Sequence, residues 1–373
     1  MRAIQGRSGR KGRLPVQARF PECHVRFEKP RPHTPDAFAT GGGALAPVQG
    51  MHGIRLSQQV IVTIVFAVMF AALSVTLPGF ATADNLLALL QSVAILGILG
   101  LGMAVIVIGR GVDLSMIAAL AIPVALTLQL AGQGWSPASA VLAGLALSAL
   151  FGAANGWLIA YAEVPALFVT LASGLFLAGL GQAFLFSTEA VVWPDGLAAL
   201  ALIGRGHLLG IPAPVWIFAT VALAVHLFLS KLTPGVFTYS MGDNPLAARI
   251  AGIPVRIMVM VQYVSSALIA TLAGLVMAAS VGSMSTRIYN STWIYDIILV
   301  VVLGGIGLSG GRGSVTNVII GTLLIGTLLN GLTILDVSFP VQNLVKGFVL
   351  LAAIAADSLF NPRNEETAQQ GDI

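Results

Sequence analysis

Long runs of Leu, Ala, Val, Ile and Gly alternate with short polar breaks from Gln58 to Phe360. The runs are continuous, without the every-second-residue alternation of a barrel strand. A helix needs about 20 apolar residues to cross a hydrocarbon core of about 30 Å. Candidate spans on that measure run 58–77, 86–108, 114–132, 138–160, 164–186, 211–230, 257–281, 293–308, 314–335 and 340–360. The eighth is short, and 164–186 also fits a partly re-entrant stretch, so the pattern predicts about ten spans, with a range of eight to ten. Each span has to satisfy its own backbone polar groups, which makes helices the expected solution. The predicted fold class is all-α, a polytopic transmembrane helical bundle.

One polar island interrupts this pattern, Tyr239 to Val255, YSMGDNPLAARIAGIPV. Gly242-Asp243-Asn244-Pro245 is a turn that can open a helix, with Asp243 or Asn244 as cap and Pro245 at the first helical position. Leu246 to Ala251 supplies about two turns, Gly252 stops them and Pro254 bars continuation. The small residues Ala247, Ala248 and Ala251 would admit a close partner; an ordinary amphipathic loop helix at the membrane surface fits the pattern equally well.

Composition agrees with lipid as the solvent: 57% of residues are hydrophobic and 9% charged, with a mean hydropathy of +0.91. A soluble domain carries about 25% charged residues. The net charge of +4 would admit a nucleic-acid reading. Yet much of the basic charge sits in the tail, at Arg2, Arg7, Arg10, Lys11, Arg13, Arg19, Arg26, Lys29 and Arg31. No basic patch with interleaved aromatics follows, so no nucleic-acid partner is expected. Residues 1–54 read as a disordered basic tail. A targeting arm, or an over-extended reading frame with its true start at Met51, are the other readings. They hold no secretory signal.

Lys and Arg placement sets the orientation. With the N-terminus inside and ten spans, Arg55, Arg110, Lys231, Arg249, Arg256, Arg312 and Arg363 fall in the cytoplasm, while Arg205 and Arg287 fall outside. Both termini are then cytoplasmic, as are the island, within a loop over 231–256, and a short tail over 363–373. The membrane-spanning body covers 55–362. Lys346 lies in the last span, near its outer end, where it can snorkel.

Chemistry is sparse. The single cysteine, Cys23, excludes an internal disulfide, and His24, His33, His52, His207 and His226 have no metal-ligand spacing. No catalytic group and no metal site is expected. Gly305-Ile306-Gly307-Leu308-Ser309-Gly310 matches G-x-G-x-x-G, but a span precedes it and an apolar stretch follows, so tight packing or a break between spans is the better reading. No G-x-x-x-x-G-K-[ST] sequence occurs, so the chain is expected not to be an enzyme. Asp113, at the end of an apolar run, can cap the next helix through Asp113-Leu114-Ser115, and pairing with Arg110 is compatible with that.

Three stretches resemble the permease subunits of bacterial ABC importers, in the ribose and monosaccharide permease family. They are GMAVIVIGRGVDLSMIA (102–118), the island at 239–255, and VVLGGIGLSGGRGSVTNVIIGTLLIGTLLNGLTIL (301–335). The likeness runs from about residue 55 to residue 360. Arg110 stands where the family usually has Gly, Ile117-Ala118 where it has Gly-Ser, and Ala251 where it has Ser, which leaves the shape of the pathway at that point open.

The resemblance implies a helical permease working as a pair with a second copy or a paralogue. It implies two ATP-binding subunits that carry ATP and Mg, and a periplasmic or surface binding protein. ATPase coupling would fall to Gly242, Asn244, Ala247, Ala248, Arg249 and Gly252. The Gly-rich segment with Gly304, Gly305, Gly310, Gly311 and Gly313 would be structural. Gln91, Asp113, Ser115, Asn155 and Asn330 are candidates for a sugar path; each could equally bond a neighbouring helix. No cofactor is expected on this chain, and its setting is the bacterial inner membrane. Rival readings are an importer of the same architecture for nucleosides or branched-chain amino acids, and an ion-coupled secondary carrier. The scarcity of ionisable residues inside spans disfavours the carrier.

Overall fold

The computed structural model describes residues 58–186 and 188–360; the tails expected at 1–54 and 363–373 lie outside the described residues. Helices α1 (Gln58–Thr76), α2 (Ala83–Ile108), α3 (Met116–Gly132), α4 (Pro137–Ala160) and α5 (Ala166–Leu180) come first, α5 continuing through a π turn to Leu185. Strand β1 (Ala190–Val192), the short α6 (Leu202–Arg205), β2 (His207–Leu208) and β3 (Ile211–Pro212) follow. Then come α7 (Ala213–Lys231), α8 (Thr233–Asp243), α9 (Pro245–Ile250), α10 (Val255–Val281), β4 (Ser283–Ser285), α11 (Trp293–Leu303), α12 (Val315–Ile334) and α13 (Phe339–Phe360). Seven of these, α1, α2, α4, α5 with its π turn, α7, α10 and α12, are long and apolar enough to cross a membrane. The apolar α3, α11 and α13 are shorter by that measure.

Burial shows how the bundle is layered. Val93 to Ile108 of α2 are buried without a break, so this stretch has no face left for lipid. Packed on it are α7, α10, α11 and α12. No described residue of α1 is buried; it leans on α12, with Leu73 against Gly331. Lipid-facing helices have little hydrophobic gain from meeting one another, and close contact at small residues replaces it. The pairing of α4 with α10 is of that kind. A Cβ at Gly152 would lie 2.6 Å from the Tyr263 carbonyl oxygen, and one at Gly156 would lie 2.7 Å from Met260 Cα.

Pro123 sits inside α3 and has no N–H to give the Ala119 carbonyl. Thr271 of α10 donates its hydroxyl to that carbonyl at 2.9 Å, and the Thr271 hydroxyl oxygen in turn lies 2.8 Å from the Ser148 hydroxyl of α4. The carbonyl freed by the proline is thus answered from α10, by a hydroxyl that α4 holds in turn. This is the usual way a broken helical ladder is satisfied away from water.

Inter-helix segments gather at two ends. At one, β1 pairs antiparallel with β4, Ala190 opposite Ser285, and Arg287 pairs with Glu189 at 2.8 Å. Segments 109–115, 161–165, 232–254 and 304–314 gather at the other.

Candidate functional site

The second end is built from all three motif stretches. Helix α2 closes at Ile108, and Arg110 turns the chain away in a left-handed conformation, φ +70°. The Ile108 carbonyl accepts a hydrogen bond from the Gly311 N–H at 2.8 Å. The Tyr239 hydroxyl of α8 donates to the Gly313 carbonyl at 2.8 Å; burial pushes its pKa up, so it keeps the proton it donates. A Cβ on Gly242 would stand 1.9 Å from the Ile108 oxygen and 2.6 Å from the Gly311 nitrogen. Gly310 and Gly311 have φ +77° and +72° and lie against Arg110 and Asp243. Gly304 packs on α12, with its carbonyl bonded by Asn317 Nδ2 at 2.6 Å. The Gly-rich segment, Gly305 included, is therefore a main-chain joint between α2, α8 and α12.

Mounted on this joint is α9. Asn244 caps it, its side-chain oxygen accepting from the N–H groups of Leu246 and Ala247 at 3.0 Å each, with Pro245 at the first position. Gly252, φ +82°, ends it. Of the six expected coupling residues, Asn244, Ala247, Arg249 and Gly252 are exposed. Gly242 and Ala248 are not. Gly242 is in the joint, and Ala248 packs with Met241, Val255 and Met258. These two hold α9 in place, and their small size serves the chain's own packing. The outward face carries Leu246 and Ile250, 54% and 81% exposed, which sequence reasoning missed although their spacing of four was a readable signal.

The path candidates fall in three places. Asp113, Ser115 and Asn155 come together. Asp113 Oδ1 accepts from the Ser115 N–H at 2.9 Å and from its hydroxyl, and Oδ2 accepts from Ser266 of α10 at 3.1 Å. Asn155 Nδ2 of α4 donates to Ser115 at 3.0 Å. The cluster is buried, with Asn155 Oδ1 its one atom without a partner. Ser115, not Asp113, occupies the cap position of α3; Asp113 instead holds the turn before it, with its carboxylate bonded to Ser115 and Ser266. Ser266 carried no sequence signal. It is 11 residues into α10, so the α2–α3 break lies about 16 Å along that helix at 1.5 Å per residue. Gln91 is elsewhere, donating to the Gly204 carbonyl at 3.4 Å, and Asn330 exchanges two bonds of 3.0 Å with Asn85.

Lys346 does not snorkel. Its Nζ lies 3.0 Å from Asp296 Oδ2, and both side chains are under 10% exposed. Two ionised groups in an apolar bundle do better together than either at the surface of a lipid-facing helix. Among the described residues no group of His, Cys, Asp or Glu could hold a metal ion.

The family model described as branched-chain amino acid transport system / permease component matches residues 85–354. The ribose import permease protein of Escherichia coli is 33% identical over 79% of this chain and 92% of its own length. That of Bacillus subtilis is 36% identical over 78% and 89%. The L-arabinose transport system permease protein of Escherichia coli is 33% identical over 84% and 95%. No solved structure matches the chain at comparable significance. Helical architecture, motif stretches and relatives agree: this chain is a multi-pass membrane permease and belongs to the ribose and monosaccharide ABC importer permeases within that transport-system family.

Proposed function

We propose that the chain forms the translocation path of an ATP-driven, binding-protein-dependent importer for a pentose or hexose. It works as a pair with a second copy or a paralogue, in a bacterial inner membrane, with both termini cytoplasmic. Two ATP-binding subunits, which carry ATP and Mg, dock on α9. A binding protein delivers the sugar to the opposite end, and this chain hydrolyses nothing itself. The observation that carries this reading is α9. It is a short capped helix with an apolar and basic outward face, Leu246, Arg249 and Ile250, rigidly fixed to the end of the central helix α2. A docking face wants these two properties, exposed anchors and a stiff mount. The cluster of Asp113, Ser115, Asn155 and Ser266, between α2, α3, α4 and α10, is the best-placed polar surface for a hydroxyl-rich cargo once the bundle opens. Gln91 and Asn330 serve helix contacts.

The test is to purify the tagged chain from native membranes in mild detergent and identify what comes with it. A Walker-motif ATPase in stoichiometric amount, with uptake of labelled D-ribose, L-arabinose or D-fructose abolished by vanadate, is the expected result. Uptake of leucine in place of sugars would move the cargo to amino acids. A chain that purifies alone, with uptake driven by an ion gradient, would refute the importer.

A further inference from the structure

The turn that leads from α9 into α10 is gripped by the far end of α4. Arg256, in the first turn of α10, places its guanidinium nitrogen 2.9 Å from Glu163 Oε1. The same guanidinium lies over the Tyr161 ring, 5.4 Å from its centroid. Tyr161 and Glu163 belong to the turn between α4 and α5, where Glu163 has a left-handed backbone, φ +56°. A non-glycine residue is held there only when its surroundings over-determine it. Tyr161, Arg249, Gly252, Ile253 and Arg256 line one open cleft of about 530 Å³, so the α4 end faces α9 directly.

An exposed ion pair on its own holds little, because water and salt compete for both partners. Here one planar guanidinium is engaged twice, by a carboxylate and by an aromatic face, and both belong to the same three-residue turn. Behind it the two helices are already locked. Gly152 and Gly156 bring α4 against the α10 backbone, and Ala248 seats α9 on Val255 and Met258 at the start of α10. Further along, Asn155 of α4 and Ser266 of α10 both reach the α2–α3 break.

We propose that Arg256 is a positioning residue for coupling: with Glu163 and Tyr161 it clamps the α9–α10 turn to the end of α4, so that a push on α9 moves α4 and α10 as one body toward the buried cluster at Asp113. This rests on the importer reading above. The clamp makes the α4–α10 pair, with its two polar contacts on the α2–α3 break, the element that carries the stroke inward. Arg256 itself touches no cargo.

The test uses the complex purified through the tagged chain, with Cys23→Ser removing the native thiol. Spin labels go at Ala251→Cys, at the end of α9, and Leu150→Cys, on the exposed face of α4. In a parent complex that carries one labelled chain beside an unlabelled second permease, the label-to-label distance should be a single narrow peak, the same without nucleotide and after trapping with ATP and vanadate. Arg256→Met and Glu163→Ala should each keep the bound ATPase and its hydrolysis, yet show a broadened or shifted distance on trapping. The exchange E163R with R256E restores the ion pair without the contact to Tyr161 and should bring the distance part of the way back to the parent peak. A parent distance that changes on trapping, or an Arg256→Met complex that superposes on the parent, would overturn the clamp alone. So would an exchange variant no better than the single ones. A parent chain that carries no ATPase would overturn the importer reading and the clamp with it.

Discussion

Pro123 and Thr271 show how single residues are made tolerable in this bundle. The Ala119 carbonyl loses its helical donor to Pro123 and regains one from Thr271. Leaving a buried acceptor unpaired costs about 1–3 kcal/mol. Thr271→Val should therefore lower the thermal stability of the detergent-solubilised protein by that amount, and Pro123→Ala in the same chain should recover most of it. Failure of the second change to help the first would separate the two residues. At Gly242 the demand is steric: Gly242→Ala forces a methyl into the Ile108 carbonyl and should break the joint. It should therefore lower stability as well as transport, which distinguishes a mount from a docking contact. Sequence alone made the Asn244 cap and the Gly252 stop legible, because caps are local. It could not assign Gly242 or Ala248 to packing, because what they touch, Ile108, Gly311 and Met258, is set by the fold.

Between elements, the decisive unread interaction is Asp296 with Lys346, which ties α13 to α11. The two residues are 50 positions apart, and no periodicity connects them, so Lys346 read as a snorkelling cation and Asp296 was not singled out. Removing one partner of a buried pair costs about 3–5 kcal/mol, whereas replacing both by apolar groups is often neutral. Asp296→Ala or Lys346→Ala should accordingly unfold at lower temperature than the parent, and the double variant Asp296→Leu with Lys346→Leu should melt closer to it. A double variant worse than both single ones would mean that the charges do more than hold α13. On α9 the outward face makes a separate prediction. Ile250→Glu, at a site 81% exposed, should leave folding unchanged and release the co-purifying ATPase, scored by the subunit ratio on a gel.

At the scale of the whole molecule, the ten apolar segments of the sequence coincide with ten apolar helices to within a few residues, seven of them of spanning length. The largest discrepancy is at the eighth, which ends at Leu303 because Gly304 and Gly305 leave the helix for the joint. Spans are legible because lipid selects them on composition alone. The β1–β4 pairing was not, since Ala190–Val192 and Ser283–Ser285 are three residues each and meet across 90 positions of chain. Helix α8 was hidden too, because Thr233–Asp243 is neither apolar enough for a span nor polar enough for a loop. The two ends predict opposite exposures in the cell. A cysteine at Leu209, 86% exposed, should react with an impermeant maleimide from outside, and one at Ala251 only after the membrane is opened; the reverse pattern would invert the topology.

Helix α2 carries one more implication. Its most apolar 18-residue stretch has a mean hydropathy of 2.3, although from Val93 onward the helix meets only protein. Apolar neighbours gain little from an apolar helix that lipid would not also provide. Its greasiness is needed earlier, when the nascent segment leaves the translocon before its neighbours exist. The centre of the folded permease is therefore as apolar as a helix must be to enter lipid by itself.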